Sequence, residues 1–173
     1  MNALKFWKTV VRDRVDLLDK LLVLFADHKI QFCVIGGQAV NAYAEPVVSL
    51  ALDIVVATSQ LPRVEDLLRK EFLVEEFEHS LNVSMYGSDL RVQIQTDPRY
   101  EEFPLHAEMH EVLGVRLPVA SVTDLLQGKV WAVLDETRRP SKRQKDLADI
   151  SRLIEAQPHL RETIPPEVLS KLL

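Results

Sequence analysis

The chain has 173 residues, of which 47% are hydrophobic and 27% are charged, and its formal net charge is -5. This composition is typical of an ordinary globular domain rather than a disordered chain, and the length allows one real core with a small helical appendix. The acidic balance argues against non-specific coating of nucleic acid, although it allows a local basic patch.

Cysteine content and hydropathy predict the compartment. Cys33 is the single cysteine, so no disulfide framework can form and a reducing environment is expected. No apolar run approaches the roughly 20 residues that span a bilayer. Charges interrupt the N-terminal residues too often for a signal peptide. We therefore expect a cytoplasmic protein.

Hydrophobic periodicity predicts alternating helices and strands up to about residue 96. The pattern indicates an amphipathic helix, a buried strand, a short Ala-rich helix, a second strand, a helix beginning near a proline, and three short strands. The corresponding ranges are 4–28, 30–35, 38–44, 52–57, 62–72 and, for the three strands together, 73–96.

The second half is predicted to become helical after one last strand. Residues 99–113 suggest a loop with a short helix ending at a glycine, and 115–119 a final strand. Ser121 is a predicted N-cap for a helix that runs to about residue 134. A polar connector and further helices follow, at 142–155 and after 165. The predicted fold is a mixed α/β core over 1–120 with a C-terminal helical part, 121–173, packed on it.

The first candidate site is a pair of glycines between two apolar runs. Gly36 and Gly37 end a predicted strand, where backbone N–H groups of the following helix approach a phosphate closely. Carboxylates at alternate positions of the next strand share a face and hold magnesium. Here the alternating positions are Ala51 and Asp53, so only one carboxylate is present. The alternative is an ordinary tight turn beside an ordinary strand-edge aspartate.

Charged side chains on two predicted apolar helix faces form the second candidate site. Lys129 falls within the apolar stripe of the helix that starts after Ser121, and Asp146 within that of the last helix, with Asp149 at its border. A buried lysine is costly unless it meets an anion. These groups would form a structural ion pair, or Lys129 would bind a triphosphate with Asp146 as base or orienting group. Snorkelling of Lys129 is the simpler alternative.

A basic run lies between these helices. Such a run is a solvated connector, or it binds the phosphates of a polynucleotide acceptor. The candidate acceptor-binding residues are Arg138, Arg139, Lys142, Arg143 and Lys145.

Taken together, three segments resemble the nucleotidyltransferase-like toxins of the AbiEii group, from bacterial type IV toxin–antitoxin systems. The segments are VIGGQAVNAYAEP, SLALDIVVA and DLLQGKVWAVLDETRRPSKRQKDLADISRLIE. The resemblance implies a polymerase-beta-like nucleotidyltransferase core, with a mixed sheet flanked by helices. It also implies a magnesium-dependent transfer from a nucleoside triphosphate to an acceptor such as the 3′ end of tRNA, which blocks translation, and a cognate antitoxin partner.

The resemblance also implies roles for individual residues. Phosphates would be held at the two glycines and Lys129, a serine would open the acidic motif, the metal would sit at positions 51 and 53, and the two helical aspartates would complete the catalytic site. These positions are Gly36, Gly37, Ser49, Ala51, Asp53, Lys129, Asp146 and Asp149.

The sequence departs from the family pattern at two places. Ala51 stands at the first carboxylate position, after a spacer of 13 residues (38–50), and Gln93 or Gln95 stands where a third carboxylate often lies. Loss of a magnesium ligand should remove most of the catalytic rate. The chain is either a natural inactive relative or carries an Asp-to-Ala change, which we favour. A catalytically inactive nucleotide-binding or regulatory module and a protein-modifying nucleotidyltransferase are the alternative functions.

Overall fold

Seven strands form one mixed sheet in the computed structural model, which describes residues 17–172. The strands are β1 (Phe32–Ile35), β2 (Ala51–Val56), β3 (Leu73–Phe77), β4 (Ser80–Ser84), β5 (Arg91–Gln95), β6 (Glu108–Val112) and β7 (Val115–Val119). Their order in the sheet is β3-β4-β5-β2-β1-β7-β6. The three short strands predicted within 73–96 and the strand at 115–119 are confirmed.

The helices follow the predicted order. They are α1, whose described part covers 17–27, α2 (Gly36–Tyr43), α3 (Leu61–Glu71), α4 (Val122–Leu134), α5 (Pro140–Ala156) and α6 (Pro166–Leu169). The predicted start of the first helix, at residue 4, lies outside the described residues. Within the described part of the chain, no helix is long and apolar enough to cross a membrane.

Burial at the centre of the sheet explains the apolar runs around the glycine pair. β1 is antiparallel to β2 and parallel to β7, and β2 is parallel to β5. Half of the residues of these four strands are buried, and they include Cys33 and Val34 of β1 and Leu52 and residues 54–56 of β2. In the first half of β2, Ala51 and Asp53 are only partly buried on either side of the buried Leu52. Their alternation places both on the same face.

Two helix starts differ from the predicted positions. α2 begins at Gly36, directly after β1, because Gly36 adopts a φ of 71° and turns the chain at once. α5 begins at Pro140, where proline at the first helical position loses no hydrogen bond. The predicted N-cap of α4 is confirmed, since the Ser121 side chain accepts a hydrogen bond from the Asp124 N–H at 3.2 Å.

The prediction of a loop with a short helix over 99–113 is wrong for the second part of the segment, which forms a strand. This segment holds two short 3-10 turns, Pro98–Tyr100 and Phe103–His106, and then β6, which pairs with β7 as a two-residue hairpin. The turn residues Leu113 and Gly114 have φ values of 53° and 80°. Positive φ at both central positions is the geometry of a type I′ turn, which usually takes Asn-Gly. A leucine there gives no sequence signal, so β6 depends on its pairing with β7.

Candidate active site

An open cleft lies where β1, β2 and β5 face α4 and the start of α5. The lining of the cleft is partly polar and partly apolar. The polar lining residues are Gly36, Asp53, Gln93, Gln95, Lys129, Arg138 and Asp146, and the apolar wall includes Tyr100, Phe103, Leu125, Gly128 and Ala132. The structure therefore places Gly36, Asp53, Lys129 and Asp146 around one cavity.

Close packing of Gly36 against Asp53 forms the floor of the cleft. Ile35 of β1 is paired with Asp53 of β2, so the chain passes the carboxyl group as it turns into α2. A Cβ on Gly36 would lie 2.9 Å from Cβ of Asp53 and would overlap its carboxyl group. Only glycine allows both this approach and the positive φ. The first N–H groups of α2 therefore start beside the one carboxylate of the acidic strand.

Gly37 marks a second, more open part of the floor. A Cβ placed on Gly37 would meet Nζ of Lys145 at 3.8 Å and Oγ of Ser49 at 3.9 Å, which are ordinary contacts. The Ser49 hydroxyl is held by the backbone of Ala51 at 3.3 Å. The start of α2, the serine and the exposed lysine are thus brought together from three separate segments.

Four cations act on Asp53. Burial raises the pKa of Asp53 above its ordinary value, and Lys129, Lys145, Lys142 and Arg138 oppose that rise. The ionised carboxylate is thus costly to bury but lies in a positive electrostatic environment.

Lys129 is the centre of a buried ion network between α4 and α5. Its Nζ lies 3.0 Å from Asp146 Oδ1 and 2.7 Å from Asp149 Oδ2, and the exposed fraction of its side chain is 10%. Burial by itself would lower the pKa of Lys129, but Asp149 and Asp146 outweigh that effect and the pKa lies above its ordinary value. The lysine is therefore a fixed cation at the cleft wall.

Each of the two aspartates also forms an ion pair with an arginine. Arg138 donates from Nε to Asp146 Oδ2 at 2.9 Å, and its Nη2 lies 2.8 Å from the same oxygen. Arg152 donates to Asp149 Oδ1 at 2.9 Å and also to the Asn41 side chain and the Glu45 carbonyl, both at 2.6 Å. Arg152 therefore ties α5 to α2 and the loop after it. The sequence interpretation missed Arg152, and its spacing of three residues after Asp149 was the available signal.

The apolar wall is the second feature that the sequence interpretation missed. Tyr100 and Phe103 are buried, and their rings pack on each other and on Trp131 with centroids 4.9 to 6.1 Å apart. The Tyr100 hydroxyl donates to the Gly128 carbonyl at 3.4 Å, and burial raises the pKa of Tyr100 to about 12. Both rings come from the 3-10 turns within the segment that was predicted to be a loop.

Glutamines occupy the cleft beside Asp53. Gln93 of β5 is the register partner of Asp53, and Ala51 is the partner of Arg91 one step outward. The Gln95 Oε1 accepts a hydrogen bond from the Asp97 N–H at 3.1 Å, which leaves the NH2 group of Gln95 as a donor. Ala51 contributes no polar atom from its side chain.

The donor set does not fit the two-carboxylate magnesium site that the sequence pattern implies, because Ala51 supplies no ligand and Asp53 stands alone. Mg²⁺ requires oxygen ligands and is usually held by one or two carboxylates together with substrate phosphates. Among residues 17–172, no group of three His, Cys, Asp or Glu side chains is arranged to hold a metal. Asp146 and Asp149 each contact two cations, so Asp53 is the one carboxylate of the cleft that faces no direct cation partner.

The basic run does not act as one surface. Arg138 points into the cleft, and Arg143 donates to the carbonyl groups of Asp135 and Arg138. Lys145 lies beside Gly37. Arg139 and Lys142 remain exposed at the start of α5. Three of the five candidate acceptor-binding cations are thus exposed, of which Lys145 lies beside Gly37, whereas Arg138 lines the cleft and Arg143 holds backbone carbonyl groups.

The sheet order, the glycine turn against an acidic strand and the lysine facing them define a polymerase-beta-like nucleotidyltransferase fold. Solved structures agree. ANT(2″)-Ia in complex with adenylyl-2″-tobramycin superposes with a TM-score of 0.63 at 15% identity, over 91% of this chain and 98% of that one. The lincomycin-bound lincosamide adenylyltransferase LnuA gives 0.51 at 12% identity, over 79% and 95%. A nucleotidyltransferase-like protein from Paracoccidioides brasiliensis gives 0.52 at 14% identity, over 84% and 76%.

The sequence itself identifies the family. Residues 40–172 match the family described as nucleotidyl transferase AbiEii toxin, type IV TA system, and the chain belongs to that family. The matched range begins four residues after Gly36, so the glycine turn is assigned by its geometry. No curated protein sequence matches the chain significantly. Membership implies a transferase that uses a nucleoside triphosphate and an antitoxin as partner.

Proposed function

We propose that the cleft binds a nucleoside triphosphate and that the active form of this protein transfers a nucleotide from it to an RNA acceptor. The observation that carries the proposal is the juxtaposition of Asp53, packed on the Gly36 turn, with Lys129 in the same cleft. The turn offers N–H groups to phosphate oxygens, and the lysine offers a fixed charge to the same polyanion.

The contacts of the network favour one role for each charged group. Both oxygens of Asp146 accept hydrogen bonds from cations, Oδ1 from Lys129 and Oδ2 from Arg138. A carboxylate engaged in this way orients its partners rather than removing a proton. We therefore assign Asp146 and Asp149 as positioning residues that hold Lys129. Gly36, Gly37 and Ser49 are assigned to the phosphates, together with Lys129.

Position 51 decides the activity on this proposal. In the family pattern an acidic residue there and Asp53 bind magnesium, which neutralises charge on the transferred phosphoryl group. Ala51 supplies no ligand, so transfer by this chain is expected to be negligible. Restoring the carboxylate should restore transfer, because Ala51 and Asp53 share one face of β2.

The acceptor is proposed to be the 3′ end of tRNA. Arg139 and Lys142 are exposed at the start of α5, next to the cleft residue Arg138, and suit the phosphates of an approaching strand. Modification of that end would block charging and hence translation, in the cytoplasm, with a cognate antitoxin as the controlling partner.

The test compares Ala51→Asp with Ala51→Asn and the parent chain. Each protein is incubated with Mg²⁺, each of the four labelled triphosphates and bulk tRNA, and labelled RNA is measured. We expect labelling with Ala51→Asp, and none with Ala51→Asn, because the amide adds similar bulk without the charge. An inert Ala51→Asp protein with all four nucleotides and RNA would overturn the transferase proposal.

The acceptor class is tested on the Ala51→Asp background. Changing Arg139 to glutamine should reduce transfer to RNA and leave triphosphate binding unchanged, because Arg139 is not among the cations that act on Asp53. Equal loss of both would contradict the acceptor role. Label on protein rather than on RNA would show transfer to a protein side chain instead.

A nucleotide-binding module without transfer is the second candidate. Neutral residues favour it, since Ala51 stands where the family pattern has a carboxylate and Gln93 or Gln95 stands where a third carboxylate often lies. On this alternative the Ala51→Asp protein binds the triphosphate and transfers nothing.

A further inference from the structure

We infer that this chain binds a triphosphate in the cleft through its own cations and amide groups, with no requirement for a divalent cation. The inference rests on the proposed function only in taking this cleft as the triphosphate site. It differs from the family pattern, in which carboxylates recruit the metal that bridges protein and phosphate.

Charges around the cleft favour an anion. The cations at the cleft and in the ion network behind it are Lys129, Arg138, Lys142, Lys145 and Arg152, and the carboxylates are Asp53, Asp146 and Asp149. Two of the three carboxylates are each held by two cations. Asp53 is thus the only one of these carboxylates left to repel a phosphate, and four of the cations lie near enough to act on it. The excess positive charge is available to a polyanion.

Lys145 is the cation best placed to contact phosphate directly. Its side chain is exposed, and within the described part of the chain no acidic group forms an ion pair with it. Its Nζ lies 3.8 Å from the position of a Cβ on Gly37. A phosphate bound at the start of α2 would therefore meet helix N–H groups and a free ammonium from another helix.

The uncharged residues around Asp53 complete the argument. Ala51 adds no negative charge, and Gln93 lies directly beside Asp53 in the sheet. The NH2 group of Gln95 is a donor, because its Oε1 is already engaged by Asp97 N–H. In a site with further carboxylates, magnesium is needed to offset their repulsion of the phosphates. In this chain most of that repulsion is missing.

The first experiment measures binding of ATP, GTP, CTP, UTP and inorganic tripolyphosphate to the intact chain by calorimetry, in EDTA and in Mg²⁺. We expect the Kd in EDTA to be within about threefold of that in Mg²⁺ for the best ligand. A loss of about tenfold or more in EDTA would overturn the inference and leave the transferase proposal standing. No binding in either condition would also overturn it, whereas RNA labelling by Ala51→Asp separately decides transfer.

The same assay on position 51 separates charge from size. Ala51→Asp should weaken triphosphate binding in EDTA by about tenfold, and Mg²⁺ should restore it, because a second carboxylate both repels phosphate and binds the metal. Ala51→Asn adds similar bulk without charge, so the difference between the two variants measures the charge. Equal binding of both variants in EDTA would contradict the electrostatic argument.

The cation placement is tested with a matched pair of lysines. Lys145→Gln should weaken binding in EDTA by about tenfold, since it removes the free ammonium beside Gly37. Lys70→Gln is the control, because Lys70 is also exposed but lies on α3, which contributes no residue to the cleft. Identical affinities for the two variants would show that the phosphates do not lie at the start of α2.

Discussion

Gly36→Ala tests whether the approach of the glycine turn to Asp53 is as close as the structure shows. The alanine must adopt a φ of 71°, which costs about 1–2 kcal/mol for a residue with a Cβ. Its Cβ would also lie 2.9 Å from Cβ of Asp53 and overlap the carboxyl group. Overpacking of this kind costs about 1–3 kcal/mol. We expect the free energy of unfolding to fall by about 2–5 kcal/mol.

Urea denaturation of Gly36→Ala and Gly37→Ala provides the measurement and its matched control. Gly37 has no positive φ, and its added Cβ would have no neighbour closer than 3.8 Å. We expect Gly37→Ala to change the free energy of unfolding by less than about 1 kcal/mol. If the free energy of unfolding of Gly36→Ala lies within about 0.5 kcal/mol of the parent value, the close approach of Gly36 to Asp53 is refuted.

A double-mutant cycle with Asp53→Ala separates strain from overlap. This change removes the carboxyl group but keeps the Asp53 Cβ, which is itself 2.9 Å from the added atom. The cost of Gly36→Ala should therefore fall without vanishing, with a coupling energy of about 1–2 kcal/mol. Strict additivity would show that the carboxyl group does not occupy the space beside Gly36.

Three further variants test the cleft through stability, each by urea denaturation without divalent cations. Lys129→Met should lower the free energy of unfolding by about 3–5 kcal/mol, because it removes the cation that pairs with two buried carboxylates. Lys142→Met, at an exposed site, is the control and should change it by less than about 0.5 kcal/mol. Equal effects of the two variants would contradict the buried ion network. Burial raises the pKa of Asp53 in the folded protein above its ordinary value of 3.8. The free energy of unfolding therefore falls as the pH rises from 3.8 to beyond the folded-state pKa. Asp53→Asn should thus stabilise at neutral pH, with a gain that shrinks towards pH 3.8, and a pH-independent difference would refute this. Gly128→Ala should destabilise by about 1 kcal/mol despite better helix propensity, because its Cβ would meet the Tyr100 ring at 3.0 Å; a stabilised protein would show that the ring yields.

Local patterns were sufficient for most elements of the fold. The step from a period of 2 to a period of 3.6 located the inner strands and α4, and the Ser121 cap followed from a local rule. β6 could not be found in this way, because its turn uses Leu113 where the local signal would be asparagine.

The same limit applies to the candidate site. The helical period was enough to turn Lys129 and Asp146 inward, since residue spacing alone fixes the face on which a side chain lies. The helical period could not show that Arg138 and Arg152 form ion pairs with Asp146 and Asp149. It also could not show that Tyr100 and Phe103 form the apolar wall.

The sequence by itself determined which residues are polar on an apolar face and that position 51 lacks the carboxylate expected there. Both depend only on residue type and on spacing within one strand or helix. Tertiary structure alone decided that Lys145 lies beside Gly37, that Gln93 adjoins Asp53, and that the basic run divides between cleft and surface. These contacts join segments far apart in the chain, and their distances are set by the packing of α5 and β5 around the sheet.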